Sequence, residues 1–332
     1  IEVKFSTTIM KLQGKSFCID ASTCSVENEQ IIKSKFSIKD NKDPCYLMKS
    51  IKNQTEIKYM KNSHLEDGLA LTKFIYWIKN KLNKNFKITE LDAQKRLEKF
   101  RKLNKNYLFP SFNTIAGTGP NGAIIHYRAT NESNKVINKK DLFLCDSGGQ
   151  YKYGTTDVTR TICFSEQPQR IKDIYTKVLK GHIAVVTSNL SRYNNGRKID
   201  IRARKYLKKD GLDYAHGTGH GVGFFSNVHE GPQSISKYNT IKLQKGMVVS
   251  NEPGYYKENH FGIRIENLIF VNKKKKLFFE NLTFSPIEKD LVNYKLLNKK
   301  ERNYLDTYHL DIFSKYYKYL NKPEKKWLLT LI

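Results

Sequence analysis

Residues 142–164 read LFLCDSGGQYKYGTTDVTRTICF, and they set the fold. Leu142, Phe143, Leu144 and Cys145 form an apolar run ending at Asp146, the pattern of a buried strand. Gly148-Gly149 and then Tyr153-Gly154 can reverse the chain, so that Asp157 starts a returning strand. Two carboxylates are thereby brought to one mouth of a hairpin. The device repeats downstream. In residues 246–256, GMVVSNEPGYY, Glu252 precedes a Pro253-Gly254 turn, and the chain returns through 261–271, FGIRIENLIFV. There the reading expects one strand from Ile263 to Val271, with Arg264 and Glu266 on one face and Ile263 and Ile265 on the other. Between the hairpins, residues 213–232, DYAHGTGHGVGFFSNVHEGP, place His220 in a glycine-dense stretch where backbone can approach a ligand closely.

Asp146, Asp157, His220, Glu252 and Glu266 together offer four carboxylates and one imidazole. Two divalent ions a few ångströms apart repel strongly, and several anionic oxygens, some of them bridging, are needed to hold both. A hard, oxygen-rich set without cysteine suits manganese or cobalt better than a structural zinc centre, and manganese is the first choice. Any one of these residues alone would read as a turn, cap or loop residue. Five in this order read as a dinuclear hydrolase site.

These segments resemble the pita-bread metallopeptidases and, within them, the aminopeptidase P group, whose members release the N-terminal residue from peptides with proline in second position. The resemblance runs from about Lys49 to the C-terminus. It implies that Asp157 and Glu266 bridge two metals, that Asp146 binds one of them, and that His220 and Glu252 bind the other. It also implies that His126 in AIIHY, His216 in HGTGH and His229 in VHEGP line the substrate site, and that Arg264 supports the metal carboxylates. In the chemistry expected from it, a metal-bridging hydroxide attacks and Glu252 takes its proton. His229 donates to the developing oxyanion, and His126 and His216 shape the proline side. A homodimer is a further expectation.

Alternatives stay open at this point. Prolidase, which cleaves X-Pro dipeptides, and methionine aminopeptidase share the fold, while some pita-bread proteins without metals serve as binding modules. HEGP, NEPGYY and Arg264 favour the prolyl-specific branch. The glycines from Gly217 to Gly223 lack the Lys-Ser/Thr ending of a phosphate-binding loop. His182 falls on a helical stripe and reads as structural.

A net charge of +27 over 332 residues raises the question of polyanions. Lysine is spread along the whole chain, and Lys273–Lys276, the one tight run, reads as a hairpin turn between two apolar strands. No specific nucleic acid is expected. Five cysteines, Cys18, Cys24, Cys45, Cys145 and Cys163, show neither disulfide nor zinc spacing, which points to a reducing, cytoplasmic setting. No apolar run reaches the roughly 20 residues that span a bilayer, and no membrane role is expected. The sequence opens at Ile1 rather than methionine, so an earlier start is expected and targeting is left open.

The expected architecture is α/β (α+β), a curved and mostly antiparallel sheet with helices outside it. Residues 1–48, with a strand-like patch at Ser16–Asp20 and a break at Asp40–Pro44, are read as the C-terminal fragment of a preceding domain. Residues 49–332 are read as the catalytic domain with a C-terminal extension. Helices are expected from Glu56 to Leu82, from Thr89, and after Pro168, where Ile171, Ile174, Tyr175, Val178, Leu179, Ile183 and Val186 keep a stripe. Asp200 is expected to cap a further short helix ended by Gly211.

Overall fold

The computed structural model describes residues 2–332, which form two compact units, one ending at Lys49 and the other running from Ser50 to Ile332. In the first, strands Ser16–Ile19 and Ser37–Asp40 pair in parallel, and Ile9, Ile19, Ile32 and Phe36 make its small core.

The second unit is built on antiparallel pairing throughout. Ile115–Thr118, Phe143–Ser147 and Val158–Ile162 form a three-stranded sheet in which Asp146 lies opposite Thr159. A five-stranded sheet takes the spatial order Glu230–Ile235, Gly219–Gly221, Val248–Asn251, Asn267–Lys273, Leu277–Asn281. Lys273 pairs with Leu277, so the lysine run is the turn of a hairpin. The two sheets are tied where the Glu266 amide donates to the Thr159 carbonyl at 3.1 Å.

Helices cover the sheets on their outer side. Gln54–Asn83 begins with a capping box between Asn53 and Glu56, and Glu90–Lys102 with one between Thr89 and Asp92. Leu71, Phe74, Ile75 and Ile78 from the first and Ala93 and Leu97 from the second pack on Phe143, Cys145, Val158 and Ile162. Strand alternation then turns Leu144 and Asp146 to the other face, where Leu144 joins Ile115 and Tyr127. The helix Gln169–Val186 buries Ile174, Tyr175, Val178, Leu179 and Ile183 against Ile263, Ile265 and the C-terminal helix Lys299–Tyr316. The last helix, Lys322–Leu329, packs on its own unit: Leu328 is fully buried, and the Trp327 ring lies 5.7 Å from Tyr76.

Two local expectations need correction. Residues 263–271 do not form one strand. Phe261–Arg264 pairs with Gly254–Lys257, Asn267–Lys273 pairs with Val248–Asn251, and the chain changes sheet at Ile265-Glu266. The break frees Glu266 from any ladder while the alternation of Ile263 and Ile265 into the core persists. The helix 196–208 is capped by Asn195, whose side chain accepts from the Lys198 amide; Asp200 lies inside the helix and pairs with Arg204 at 2.8 Å. Asn195 fits the N-cap better because its extended backbone frees the side chain to turn back on the first turn.

Candidate metal centre

Each hairpin delivers one of its carboxylates from a strand or its end and the other from the start of the returning strand. Asp146 is in the strand Phe143–Ser147 and Asp157 immediately precedes Val158–Ile162; Glu252 follows Val248–Asn251 and Glu266 precedes Asn267–Lys273. His220 is brought among them by a close backbone approach. A Cβ on Gly219 would stand 1.9 Å from the Ser250 carbonyl oxygen, so only glycine lets this strand lie so near Val248–Asn251. The Ser250 hydroxyl then accepts from the His220 amide at 2.8 Å and donates to Glu252 at 2.9 Å.

All five ligands expected from the sequence, together with His126, His216, His229 and Arg264, line one cleft of about 510 Å³. Ligand atoms of Asp157, His220 and Glu266 lie within 4.8 Å of one another. His220 Nε2 is 3.4 Å from Asp157 and 3.5 Å from Glu252, while its Nδ1 faces the Gly221 carbonyl at 2.9 Å. A proton on Nδ1 satisfies that carbonyl and leaves the Nε2 lone pair facing two carboxylates, the orientation a metal-binding imidazole needs. Asp146 Oδ1 is buried without a hydrogen-bond partner. Asp157 and Glu266 are almost fully buried as well.

The electrostatics fit cations. Burial, then repulsion from Asp157, Glu252 and Asp146, raises Glu266 well above the usual carboxylate range. Asp157 is pushed up to about 7 by burial and by Asp146, against the hydrogen bond to His220. Burial alone would lower His220, but Asp157 and Glu252 overcome it and raise the imidazole to about 9. Glu252 moves the other way: although burial would raise it, His220, His216 and Arg264 hold it below its ordinary value. Without metal, protons on this cluster do the neutralising that divalent ions would do. The donor chemistry and the unpartnered Asp146 oxygen therefore fit a pair of ions.

Arg264 organises one side of the cleft. Its NH2 donates to Asp146 at 2.6 Å, its Nε to the Thr159 hydroxyl at 3.0 Å and its NH1 to the Tyr256 hydroxyl at 2.7 Å. Thr159 in turn donates to Glu266 at 2.6 Å, and Tyr256 lies 2.8 Å from His216 Nε2. His216 Nδ1 faces the Gly217 carbonyl at 2.7 Å, so the ring accepts the tyrosine proton. Burial holds this imidazole below its ordinary value. The His229 ring stands edge-on to His220 at 4.2 Å, and burial followed by the His220 charge lowers it too.

Sequence reasoning does not single out Tyr256, Thr159 or Ser250. Thr159 carries a signal, since it alternates with Asp157 along one strand. Tyr256 carries none: its place depends on Gly254 pairing with Arg264, a register visible only in three dimensions. His182 is buried as expected, its Nδ1 lying 3.1 Å from the Asn251 carbonyl beside Glu252. A second acidic group, Cys163, Glu288 and Asp290, already holds a cation. Lys79 Nζ lies 2.7 Å from Glu288 and 3.2 Å from Asp290, and burial keeps the Cys163 thiol protonated.

The chain belongs to metallopeptidase family M24, which matches residues 58–273, with the C-terminal region of that peptidase family matching 275–331. Aminopeptidase P2 of Arabidopsis thaliana is 45% identical over 323 residues, 91% of this chain and 45% of the plant protein. An X-prolyl aminopeptidase of Caenorhabditis elegans, described as a cytosolic enzyme with a di-nuclear active site, superposes with a TM-score of 0.88 at 32% identity. That match covers 99% of this chain and 55% of the worm chain. A prolidase from Thermococcus sibiricus gives 0.71 at 28% identity over 86% of this chain and 75% of its own. The chain thus has the pita-bread fold and spans about half the length of the aminopeptidase P relatives it matches.

Proposed function

We propose that this chain carries the catalytic unit of an X-prolyl aminopeptidase that releases the N-terminal residue from peptides with proline second. The observation that carries the reading is the convergence of Asp146, Asp157, His220, Glu252 and Glu266 on one cleft. Support for the prolyl branch comes from the relatives named for that activity. The worm X-prolyl aminopeptidase also matches more of the chain, and more closely, than the prolidase.

Asp146, Asp157, His220, Glu252 and Glu266 would hold two ions, manganese in our reading. Such a pair supplies activated water near neutral pH and polarises the peptide carbonyl. Glu252 accepts the proton of the attacking water. His229 donates to the carbonyl oxygen as its charge develops. His126 and His216 border the proline ring, whose nitrogen has no hydrogen to donate, and Tyr256 orients the His216 ring. The carboxylates attract the free amino end of the peptide. Arg264 fixes Asp146 and, through Thr159, Glu266.

A homodimer in the cytosol completes the reading, its location supported by the cytosolic worm enzyme, and the first unit is taken as part of a preceding domain. The test is hydrolysis by chelator-stripped, manganese-restored protein of Arg-Pro-Pro, Arg-Pro and Arg-Ala-Ala. Metal-dependent release of arginine from the prolyl tripeptide is expected. Cleavage of Arg-Pro alone would instead assign a dipeptidase, and equal cleavage of Arg-Ala-Ala would remove the proline specificity.

A further inference from the structure

The cleft contains a cation that the proposed chemistry does not use. Arg128 lines it together with His126 and is exposed, whereas Asp146, Asp157 and Glu266 are buried. Arg264, the other arginine of the cleft, has its donors committed to Asp146, Thr159 and Tyr256. Among the described residues, the Arg128 guanidinium has neither an ion pair nor a hydrogen bond.

The segment that carries it is nevertheless anchored. Tyr127 is buried, its hydroxyl donating to Glu90 at 2.8 Å and accepting from Asn121 at 2.7 Å. The Arg128 carbonyl accepts from the Ser133 hydroxyl at 3.4 Å, and the same hydroxyl takes the Thr130 amide at 2.9 Å. His126 and Arg128, on either side of the anchored Tyr127, both line the cleft with it. A fixed backbone thus presents a free guanidinium beside a residue assigned to the proline side.

We propose that Arg128 is a specificity-determining residue that reads a carboxylate downstream of the scissile bond, that of a short peptide's own C-terminus. The assignment rests on the aminopeptidase reading. A short zwitterionic peptide has an ammonium at one end and a carboxylate at the other. The cleft answers with buried carboxylates at its floor and one free guanidinium at its exposed side. Its volume of about 510 Å³ falls within the range of small-ligand sites, so the free end of a short peptide would still lie within it. An acidic side chain following the proline carries the same chemistry.

The test is equilibrium binding, by calorimetry in chelator so that no hydrolysis intervenes, of Arg-Pro-Pro, its C-terminal amide and Arg-Pro-Asp-amide. The full chain and its Arg128→Gln and Arg128→Lys variants are compared. The native chain should bind the free acid about fivefold more tightly than the amide, the scale of a partly exposed ion pair, with the ratio falling as salt rises. Arg128→Gln should bring that ratio to about one, with Arg128→Lys between. If Arg-Pro-Asp-amide matches the free acid, either carboxylate is read; if it behaves as the plain amide, only the chain terminus is. A ratio near one in the native chain, or one unchanged in Arg128→Gln, overturns the proposal. Binding is scored without turnover, so failure of the aminopeptidase reading would show separately, as absent cleavage on manganese addition.

Discussion

Glu252 combines the properties needed of a base in this cleft: it is held ionised by three neighbouring cationic or imidazole groups, and one of its oxygens is fixed by Ser250. Replacing it with glutamine keeps the shape and removes the proton acceptor. Glu252→Gln should lower kcat by at least about 10²-fold with little change in circular dichroism; near-normal turnover would deny it the role. His229→Ala should lower kcat by about 10² to 10³, measured on Arg-Pro-Pro, if the ring stabilises developing charge on the carbonyl oxygen. A change confined to KM would assign the ring to binding alone. At this scale the chain is legible because glycine, proline and carboxylate recur in patterned segments. Tyr256 is not, since nothing local separates it from Tyr255; only strand register sends one of the two to Arg264 and His216.

The hairpins and the glycine strand between them set the distances. Gly219 allows the His220 strand to lie against Ser250, and a methyl there would meet a backbone carbonyl that cannot withdraw without moving Glu252. Gly219→Ala should therefore cost about 1–3 kcal/mol in chemical denaturation and weaken metal retention measured after dialysis. Unchanged stability with full metal content would show that the approach is not needed. Helices are readable in advance from their stripes and starts, as Thr89 and Pro168 show. The switch of sheets at Ile265-Glu266 is not, because the apolar alternation on either side continues across it, and only the separate partners of the flanking strands interrupt the ladder.

The whole molecule keeps three histidines in its core, each neutral for the same reason. Burial lowers His64 to about 4, His182 to about 3 and His309 to about 4. Unfolded, each titrates near its ordinary value of about 6.5, so the unfolded chain binds more protons throughout the interval below it. Their contribution is intact above pH ~6.5 and is lost as pH falls toward ~4. Calorimetry near pH 5 should find about three protons taken up on unfolding from these groups, fewer in His309→Gln. Uptake unchanged by that variant would mean that His309 is already protonated in the native state. His64 and His309, like the ion pairs of Lys79, belong to packing that sequence periodicity does not announce. The catalysis proposed for the cleft depends on a metal pair, and diffraction from manganese-loaded crystals, at a wavelength where manganese scatters anomalously, would locate it. Two ions about 3.5–4 Å apart, each touching Asp157 and Glu266, are expected. A single ion, or ions bound away from those two carboxylates, would contradict the dinuclear reading.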